Sequence, residues 1–415
     1  MASLWRHGDF LKLWSAMTIS EVGSRVTREG LPYTAVALLG ASPAAMGLLT
    51  AVQGMTAFIV GPVAGVLVDR YRHRPLLIGM DLGRAAVLGL VPWAAWTGNL
   101  SFALLLGVAV AAGAMTVLFD VAYQAHLPRL VGKEHLLEGN SKLAISFATA
   151  EVLGPGITGI LIQLLTAPRA ILIDALSFVV SAVFIGWIRR PEKAGSAEHE
   201  EAPTLAAAAA GFQFVRGQPV LRALALRTGT VFYFWGYFAA LYMFFAVREL
   251  KLQPAVIGVV VALGGVSNLA GSLLSGHVSR WFRLGTVLTG ASLLPALAAV
   301  LIPLAPSDNW LLAAAALGAS QLLGDIGFPI YSVHELTLRQ SLTPPGILGR
   351  VNALWQMLMK GLLPLGALSG GAIAGAYGAR AALVVSAVGA ISANFWLFFS
   401  PVRQLQGVNI LQRED

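Results

Sequence analysis

Four charged residues stand close together near the start of the chain, in a stretch that is otherwise rich in apolar residues. The four are Glu21, Arg25, Arg28 and Glu29. An α-helix places them within one arc of about 100°. Carboxylates held beside an arginine can bind protons or charged solutes, so we predict Glu21 and Arg25 as coupling residues. The alternative is internal neutralisation, because the four charges sum to zero and form two i,i+4 pairs, Glu21–Arg25 and Arg25–Glu29.

Three further charged residues interrupt apolar stretches elsewhere in the chain: Glu151, Asp325 and Lys360. A carboxylate enclosed by apolar groups can take up and release a proton near neutral pH, which is what ion coupling requires. We therefore add these three residues to the candidates for proton or substrate coupling. For Asp325 and Lys360 the alternative is a structural ion pair with each other.

Aromatic residues are concentrated between residues 232 and 242, and no charged residue stands among them. Tyr233, Tyr237 and Phe238 from this run predict an aromatic wall that suits a flat, amphiphilic or cationic molecule. The alternative is helix packing combined with an aromatic belt at a membrane interface. Further residues that we predict to line a cavity are Trp14, Thr18, Asn268, Gln321, Trp355 and Gln356.

The elements that carry these residues are predicted to be membrane-spanning helices. Of the 415 residues, 57% are hydrophobic and only 12% are charged, whereas soluble domains carry about 25% charged residues. Apolar runs of about 20 residues recur throughout, and the lack of water in a bilayer requires such runs to be helical. The predicted spans are residues 11–38, 43–68, 75–97, 100–124, 139–165, 168–189, 220–247, 254–280, 284–305, 309–333, 350–376 and 379–401.

Charges inside these spans need partners, because a charge at the middle of a bilayer costs about 2.5–3.5 kcal/mol on insertion scales. The charged face of the first span must therefore meet protein or a water-filled cavity. Asp81 and Arg84, spaced i,i+3, are predicted to form a structural pair. Asp174, near the end of its span, is expected to bond to backbone or solvent.

The basic residues predict the orientation of the chain. Of the 28 Lys and Arg residues, 21 fall in or beside one set of loops and termini, four fall on the opposite side and three lie within spans. The positive-inside rule therefore places both termini in the cytoplasm. The net charge of +8 belongs to these loops, and no stretch indicates nucleic-acid binding. Cysteine is absent, which excludes disulfides and thiolate metal sites. We also expect that the protein has no metal, no cofactor and no catalytic residue, and that it is a monomer.

The two halves of the chain repeat one pattern of proline and glycine. Pro43, Gly47, Gly54 and Gly65 recur 211 positions later, and Asn140, Gly154 and Gly159 recur 212 positions later. The repeat predicts an all-α membrane protein of two pseudo-symmetric six-helix bundles. We predict one bundle at residues 1–189, a cytoplasmic linker at 190–219, a second bundle at 220–401 and a cytoplasmic tail at 402–415.

The loop between the second and third spans carries Gly65, Asp69, Arg70 and Arg74. Its pattern resembles the loop signature of the major facilitator superfamily, a Gly followed by an Asp-Arg pair and further basic residues. In that family the loop locks one side of the carrier, through an Asp at a helix N-terminus and a basic residue paired with an acid of the fourth helix. The resemblance gives these places to Asp69, Arg74 and Asp120, and it implies the major facilitator fold with twelve transmembrane helices.

The fifth span contains Gly154-Pro155-Gly156-Ile157-Thr158-Gly159. This run resembles the Gly-Pro antiporter motif of drug and proton exchangers, and Gly154, Pro155 and Gly159 match its pattern. The segments Ser20-Glu-Val-Gly23 and Asp174-Ala-Leu-Ser-Phe178 are similar to the exporter branch that includes macrolide and enterobactin exporters. One departure is that the fourth span lacks the arginine that many drug exchangers carry there.

The resemblance implies a secondary active transporter of the bacterial inner membrane that exports small amphiphilic molecules by alternating access and proton antiport. Its expected partners are a small-molecule substrate, protons and the lipid bilayer. Two alternatives stay open on the same fold, an importer or facilitator of a small nutrient and a membrane receptor that does not transport. The sequence has no phosphate-binding Gly-Lys loop, zinc-protease motif or nucleophile elbow, so no enzyme activity is expected.

Overall fold

The computed structural model describes residues 4–189 and 205–406, apart from the side chains of Asp69, Lys133 and residues 205–208, and every regular element within them is helical. Short 3₁₀ turns lie at Leu4–Arg6, Lys133–His135 and Pro401–Gln404, and a π-helical turn lies at Phe245–Glu249. The α-helices of these residues are, in chain order, α1 (Gly8–Ala37), α2 (Pro43–Arg70), α3 (His73–Trp96), α4 (Phe102–Val131), α5 (Leu136–Leu165), α6 (Ala167–Gly186), α7 (Leu205–Gly217), α8 (Pro219–Phe244), α9 (Pro254–Trp281), α10 (Leu284–Ala298), α11 (Leu301–Leu304), α12 (Trp310–Gly324), α13 (Gly327–Leu342), α14 (Pro345–Tyr377), α15 (Ala379–Ser392) and α16 (Phe395–Phe398).

Eleven helical segments in the described part of the chain are long and apolar enough to cross a membrane. Four of them join two consecutive elements, as α10 and α11 do in Leu284–Leu304 and as α12 and α13 do in Trp310–Leu342. Helix α1, with 30 residues, is also long enough to cross a membrane, but it carries six charged residues and is not among the eleven. With α1, these segments make the twelve spans that the sequence predicts, in the predicted order.

Two helices end well beyond the residues at which the sequence pattern ends their spans. Helix α4 continues to Val131, beyond the predicted end at residue 124, and stops at Gly132, where φ is +81°. Helix α13 continues to Leu342, beyond the predicted end at residue 333. The prediction ended both spans where polar residues begin. Hydropathy marks the apolar part of a helix, whereas backbone hydrogen bonding continues past it.

The helices gather into two compact units. The first comprises Met1–Ala41, Met55–Glu200 and Gln253–Ala262, and the second comprises Ser42–Gly54, Glu201–Leu252 and Leu263–Asp415. In the first unit, α1 packs on α5 and α6, and α3 packs on α4 and α6. In the second, α8 packs on α14 and α15, and α10 packs on α13. The predicted bundle boundaries stay a prediction; within the predicted linker, residues 205–217 form α7 and residues 190–204 lie outside the described residues.

The sequence repeat corresponds to one helix contact that is made twice, once within each unit. In the second unit, a Cβ atom on Gly371 of α14 would lie 3.0 Å from the Cα atom of Gly47 in α2. In the first unit, a Cβ atom on Gly159 of α5 would lie 3.0 Å from the Cα atom of Gly258 in α9. The repeat matches Gly47 to Gly258 and Gly159 to Gly371. Small residues let helix backbones approach closely, which explains why glycine recurs at all four positions.

The packing of α8 against α14 also depends on glycine. A Cβ atom on Gly370 would lie 2.7 Å from ring atom Cγ of Tyr237, and one on Gly236 would lie 2.6 Å from the backbone nitrogen of Ala367. A Cβ atom on Gly366 would overlap the carbonyl oxygen of Tyr233. The two helices therefore touch through their backbones along this line.

We expect Gly366→Ala to destabilise the protein by about 1–3 kcal/mol, because the added methyl group has to displace the backbone of Tyr233. The loss would be measured as a lower melting temperature of the purified protein in detergent micelles. Gly375→Ala in the same helix is the matched control, since a Cβ atom there meets nothing within 4 Å. Equal melting temperatures for the two variants would contradict the close approach of α8 and α14.

Candidate functional site

Arg25 joins two helices of the first unit through two carboxylates. Its guanidinium donates to Glu21 Oε1, which lies 2.7 Å away and one turn earlier on α1, and it forms an ion pair with Glu151 of α5. Arg25 is buried, whereas the side chains of Glu21 and Glu151 are 27% and 52% exposed. We name these residues the Arg25 trio. The arrangement holds two accessible carboxylates on one buried cation.

The close approach of α1 to α5 depends on Gly154, one turn after Glu151. A Cβ atom on Gly154 would lie 2.5 Å from Arg25 Cγ and 2.8 Å from Arg25 Cβ. The absence of a side chain at Gly154 therefore leaves the space that the stem of Arg25 occupies. Gly154 and Gly159, both predicted as antiporter-motif residues, have separate contacts, because Gly159 packs on α9. The role of the motif in antiport stays a prediction.

Of the two ion pairs that the sequence suggests within α1, one is confirmed. The i,i+4 pair of Glu21 with Arg25 forms, but the second partner of Arg25 is Glu151, where the sequence suggested Glu29. Spacing along one helix predicts local pairs only, whereas the contact with Glu151 depends on helix packing.

The polar stripe predicted along α1 extends from the Arg25 trio towards the start of the helix. Trp14 Nε1, Thr18 Oγ1 and Arg25 Nε are buried, and they have no hydrogen-bond partner among the described residues. The Trp14 ring packs edge-on against Trp5, with 5.1 Å between ring centroids. The stripe therefore offers polar groups that its surroundings leave unused.

A second face of α1 contacts a buried carboxylate of α6. Asp174 is fully buried and accepts hydrogen bonds from the hydroxyl groups of Thr27 and Ser177. A Cβ atom on Gly23 would lie 2.6 Å from Asp174 Oδ1, so α1 again makes room through a glycine. The expectation that Asp174 bonds to backbone or solvent is wrong, because the helix contact supplies side-chain hydroxyls instead.

Asp81 and Arg84 of α3 form the ion pair that their spacing predicts. Both side chains are buried. The guanidinium carbon of Arg84 lies 4.3 Å from the ring centroid of Phe119 and 4.0 Å from that of Phe178. The pair is neutral as a unit and is enclosed by aromatic rings, which suits a structural role.

The second unit contains a buried charged network that sequence reasoning missed. Arg227 Nε donates to Ser292 Oγ at 2.8 Å, and its guanidinium carbon lies 3.6 Å from the ring centroid of Tyr331. Glu335 and Arg339, one turn apart on α13, form an ion pair with a distance of 3.2 Å between Oε1 and Nε. We name the network of Arg227, Tyr331, Glu335 and Arg339 the α13 network. Its i,i+4 pair was visible in the sequence, but the predicted span ended at residue 333 and assigned both charges to a loop.

Asp325 lies at the break between α12 and α13, where it contacts Gly264 of α9 together with Gln321. A Cβ atom on Gly264 would lie 3.3 Å from Gln321 Nε2 and would overlap the Asp325 carboxylate. Lys360 of α14 is exposed and has no ion-pair partner among the described residues. The structural pair of Asp325 with Lys360 that the sequence left open is therefore not formed.

The predicted aromatic wall of α8 divides into buried and accessible rings. Tyr237 is only 3% exposed and packs on Gly370, and Trp355 is equally buried, with its ring 4.6 Å below the guanidinium carbon of Arg339. Helix packing covers these two rings in this structure, and their role as cavity-lining residues stays a prediction. Of the other candidates, Tyr233, Phe238 and Asn268 are half-buried and Gln356 is exposed; their role stays a prediction.

The loop-signature residues are placed at the end of α2 and the start of α3. Arg74 donates to the carbonyl oxygens of Ile185 and Gly186 at the end of α6. Arg70 and Asp120 are exposed, and a Cβ atom on Gly65 would meet nothing within 4 Å. The side chain of Asp69 lies outside the described residues, and the pairing of Arg74 with Asp120 stays a prediction.

Comparison with known proteins identifies the family. Residues 13–363 match the profile of the Major Facilitator Superfamily, and the chain belongs to that family of membrane transporters. An MFS-type transporter of Sinorhizobium fredii, y4rN, is 28% identical over 380 residues, which cover 89% of this chain and 90% of that protein. The chain is therefore a multi-pass membrane transporter and not an enzyme.

Two relatives have names that state a substrate. The enterobactin exporter EntS of Escherichia coli is 26% identical over 365 residues, covering 86% of this chain and 82% of that protein. Macrolide efflux protein A of Streptococcus pyogenes is 22% identical over 362 residues, covering 86% of this chain and 87% of that protein.

Solved structures support the fold at low sequence identity. A bacterial homologue of the iron transporter ferroportin, in an inward-facing state, has a TM-score of 0.76 and 18% identity, with 96% of this chain and 99% of that chain covered. The nucleoside transporter NupG has a TM-score of 0.76 and 11% identity, with 94% and 98% covered. These similarities confirm the major facilitator fold predicted from the sequence.

We expect Gly154→Ala to break the Arg25 trio, because the new methyl group would occupy the place of the Arg25 stem. Overpacking of this kind costs about 1–3 kcal/mol, which a lower melting temperature in detergent would report. Gly156→Ala two residues later is the matched control, since the nearest atom to a Cβ there is Ala262 Cβ at 3.9 Å. A Gly154→Ala variant as stable as Gly156→Ala would refute this packing.

We expect Asp81→Ala to destabilise the protein by about 3–5 kcal/mol, because it leaves Arg84 buried without its counter-ion. Replacing both members, as Asp81→Leu with Arg84→Met, should restore much of the melting temperature, since no uncompensated charge remains. If the double variant is stable but inactive in transport, the structural assignment of this pair is wrong.

Proposed function

We propose that the protein is a secondary active transporter that exports small amphiphilic molecules by alternating access, in exchange for protons. The observation that carries the proposal is the Arg25 trio. With both carboxylates ionised the trio has one excess negative charge, and it becomes neutral when one carboxylate takes up a proton. A net charge within a membrane-spanning helix is costly, so binding of a proton or of a cationic solute group stabilises the trio.

Within the trio, Glu151 is the better candidate for the proton-carrying group. Its side chain is 52% exposed, about twice the exposure of Glu21, so it can exchange protons with water more readily. Glu21 also lies one turn from Arg25 on the same helix, and this pair therefore remains formed when α5 moves. A proton that neutralises Glu151 weakens the contact between α1 and α5, which links protonation to helix movement.

The direction of transport rests on similarity to exporters. The two relatives with named substrates are an efflux protein and an exporter, and the Gly-Pro motif of α5 resembles that of antiporters. The accessible rings of Tyr233 and Phe238 suit the apolar part of an amphiphilic molecule. We also propose a bacterial plasma-membrane location with both termini in the cytoplasm, from the bias of the basic residues.

Glu151→Gln is expected to lower gradient-driven efflux at least about tenfold while leaving substrate exchange intact. Glutamine keeps the size of the side chain and can still accept from Arg25, but it cannot carry a proton. The measurement uses proteoliposomes loaded with ethidium or with a macrolide. Efflux is followed under an imposed pH gradient, and counterflow is followed without one.

Asp308→Asn is the control for this experiment, because Asp308 is an exposed carboxylate outside the Arg25 trio. Normal gradient-driven efflux by Glu151→Gln, by Glu21→Gln and by Asp325→Asn would show that none of these carboxylates carries the coupled proton. Equilibration of the solute across the membrane at the same rate with and without the pH gradient would instead indicate a facilitator.

A further inference from the structure

Lys360 places a positive charge near the middle of a membrane-spanning helix. Helix α14 runs from Pro345 to Tyr377, and its 33 residues form one candidate span. At a rise of about 1.5 Å per residue, each end of the helix lies roughly 24 Å from Lys360, too far for the side chain to reach. Lys360 is nevertheless exposed, and it makes no hydrogen bond and no ion pair with the described residues. An uncompensated cation within a span needs water or an anion beside it.

The face of α14 that carries Lys360 is the face that packs on α2 further along the helix. At about 100° per residue, Pro364 and Gly371 lie within about 40° of the direction of Lys360, and both are buried. A Cβ atom on Gly54 of α2 would lie 2.8 Å from Pro364 Cγ. A Cβ atom on Gly371 would lie 3.0 Å from the Cα atom of Gly47, also in α2. This face is therefore covered by α2 at Pro364 and Gly371 and uncovered at Lys360.

The apolar exposed side of α14 has a different direction. Leu365 and Leu368 are exposed, and they lie about 140° and about 80° around the helix from Lys360. These leucines suit contact with lipid. Gln356, one turn before Lys360, is also exposed and lies within about 40° of it. We name Lys360 and Gln356 the α14 polar pair. The pair therefore lies on the side of the helix that faces protein, one turn before the contact with α2 begins.

We propose that the α14 polar pair binds an anionic group of the transported molecule, such as a carboxylate. Lys360 is the counter-ion, and Gln356 is a neutral hydrogen-bond partner. An ammonium group donates charge-assisted hydrogen bonds to a carboxylate, and these are stronger than neutral ones. The bound anion also compensates the charge of Lys360 within the span. The inference rests on the proposed function, because it assigns to that transporter one class of substrate, an amphiphile with an acidic group.

Fluorescence titration of the detergent-purified protein tests the proposal with two ligands that differ in one group, dansyl-phenylalanine and dansyl-phenylalanine amide. We expect the wild type to bind the carboxylate more tightly than the amide. Lys360→Gln should weaken binding of the carboxylate about tenfold and leave the affinity for the amide unchanged, since a hydrogen bond to a charged group contributes at least about that factor. Lys360→Arg should keep the preference, because arginine retains the positive charge. Gln356→Leu should weaken binding of both ligands, because an amide side chain can bond to either group.

Lys251→Gln is the matched control, because Lys251 is an exposed lysine of the second unit that lies between two spans. It should bind both ligands as the wild type does. A wild type that does not prefer the carboxylate, or an equal loss of both ligands in Lys360→Gln, would overturn the proposal. The titration uses no proton gradient. A protein that prefers the carboxylate but does not couple efflux to protons would therefore contradict the proposed antiport and leave this inference standing.

Discussion

A charged group can stand inside a bilayer only when the protein supplies its partner, and Arg25 is the residue on which this constraint acts most directly. Its guanidinium is buried on a helix that carries six charged residues, and its two carboxylate partners come from two different helices. Glu21 alone would neutralise it along α1. The contact with Glu151 adds a requirement on tertiary structure, because α5 must approach closely, and Gly154 is what allows this approach.

The pairing of Arg25 also determines how α1 is rotated about its axis. With that residue directed at α5, Gly23 and Thr27 face α6, where they meet Asp174. A rotation of α1 by one residue, about 100°, would remove Arg25 from Glu151 and Thr27 from Asp174 together. The two contacts therefore support the same orientation of the helix. The glycines Gly23 and Gly154 are the positions at which side chains would prevent it.

The sequence predicts whatever is local or periodic in this molecule. Apolar runs give the spans, i,i+4 spacing gives the pair Glu21–Arg25, and i,i+3 spacing gives the pair Asp81–Arg84. A repeat gives the matched positions of the glycines, though not the contacts that they make. Contacts between distant segments escape such reasoning. Nothing in the spacing of Arg25 and Glu151 indicates that they meet, because the packing of α1 on α5 decides it.

Burial of individual side chains escapes sequence reasoning for a related reason. An aromatic run on α8 is compatible with a cavity wall or with helix packing, and the choice depends on which face meets α14. Gly370 lies opposite Tyr237 and turns that ring into a packing residue, whereas Tyr233 stays half-buried. The α13 network was missed because hydropathy ends the tenth span nine residues before the helix itself ends.

Three charged sites of the first unit differ in how accessible their carboxylates are to solvent. Asp81 and Arg84 neutralise each other between two aromatic rings, and Asp174 is closed off by hydroxyl groups. Of these three sites, the Arg25 trio is the one that combines an excess carboxylate with exposure to solvent, through Glu151. Helix α5 carries Glu151, Gly154 and Gly159, so a shift of α5 at its glycine contact with α9 also moves Glu151 relative to Arg25. Helix packing and charge pairing are thus joined on one helix, which is the physical connection that an ion-coupled transporter requires.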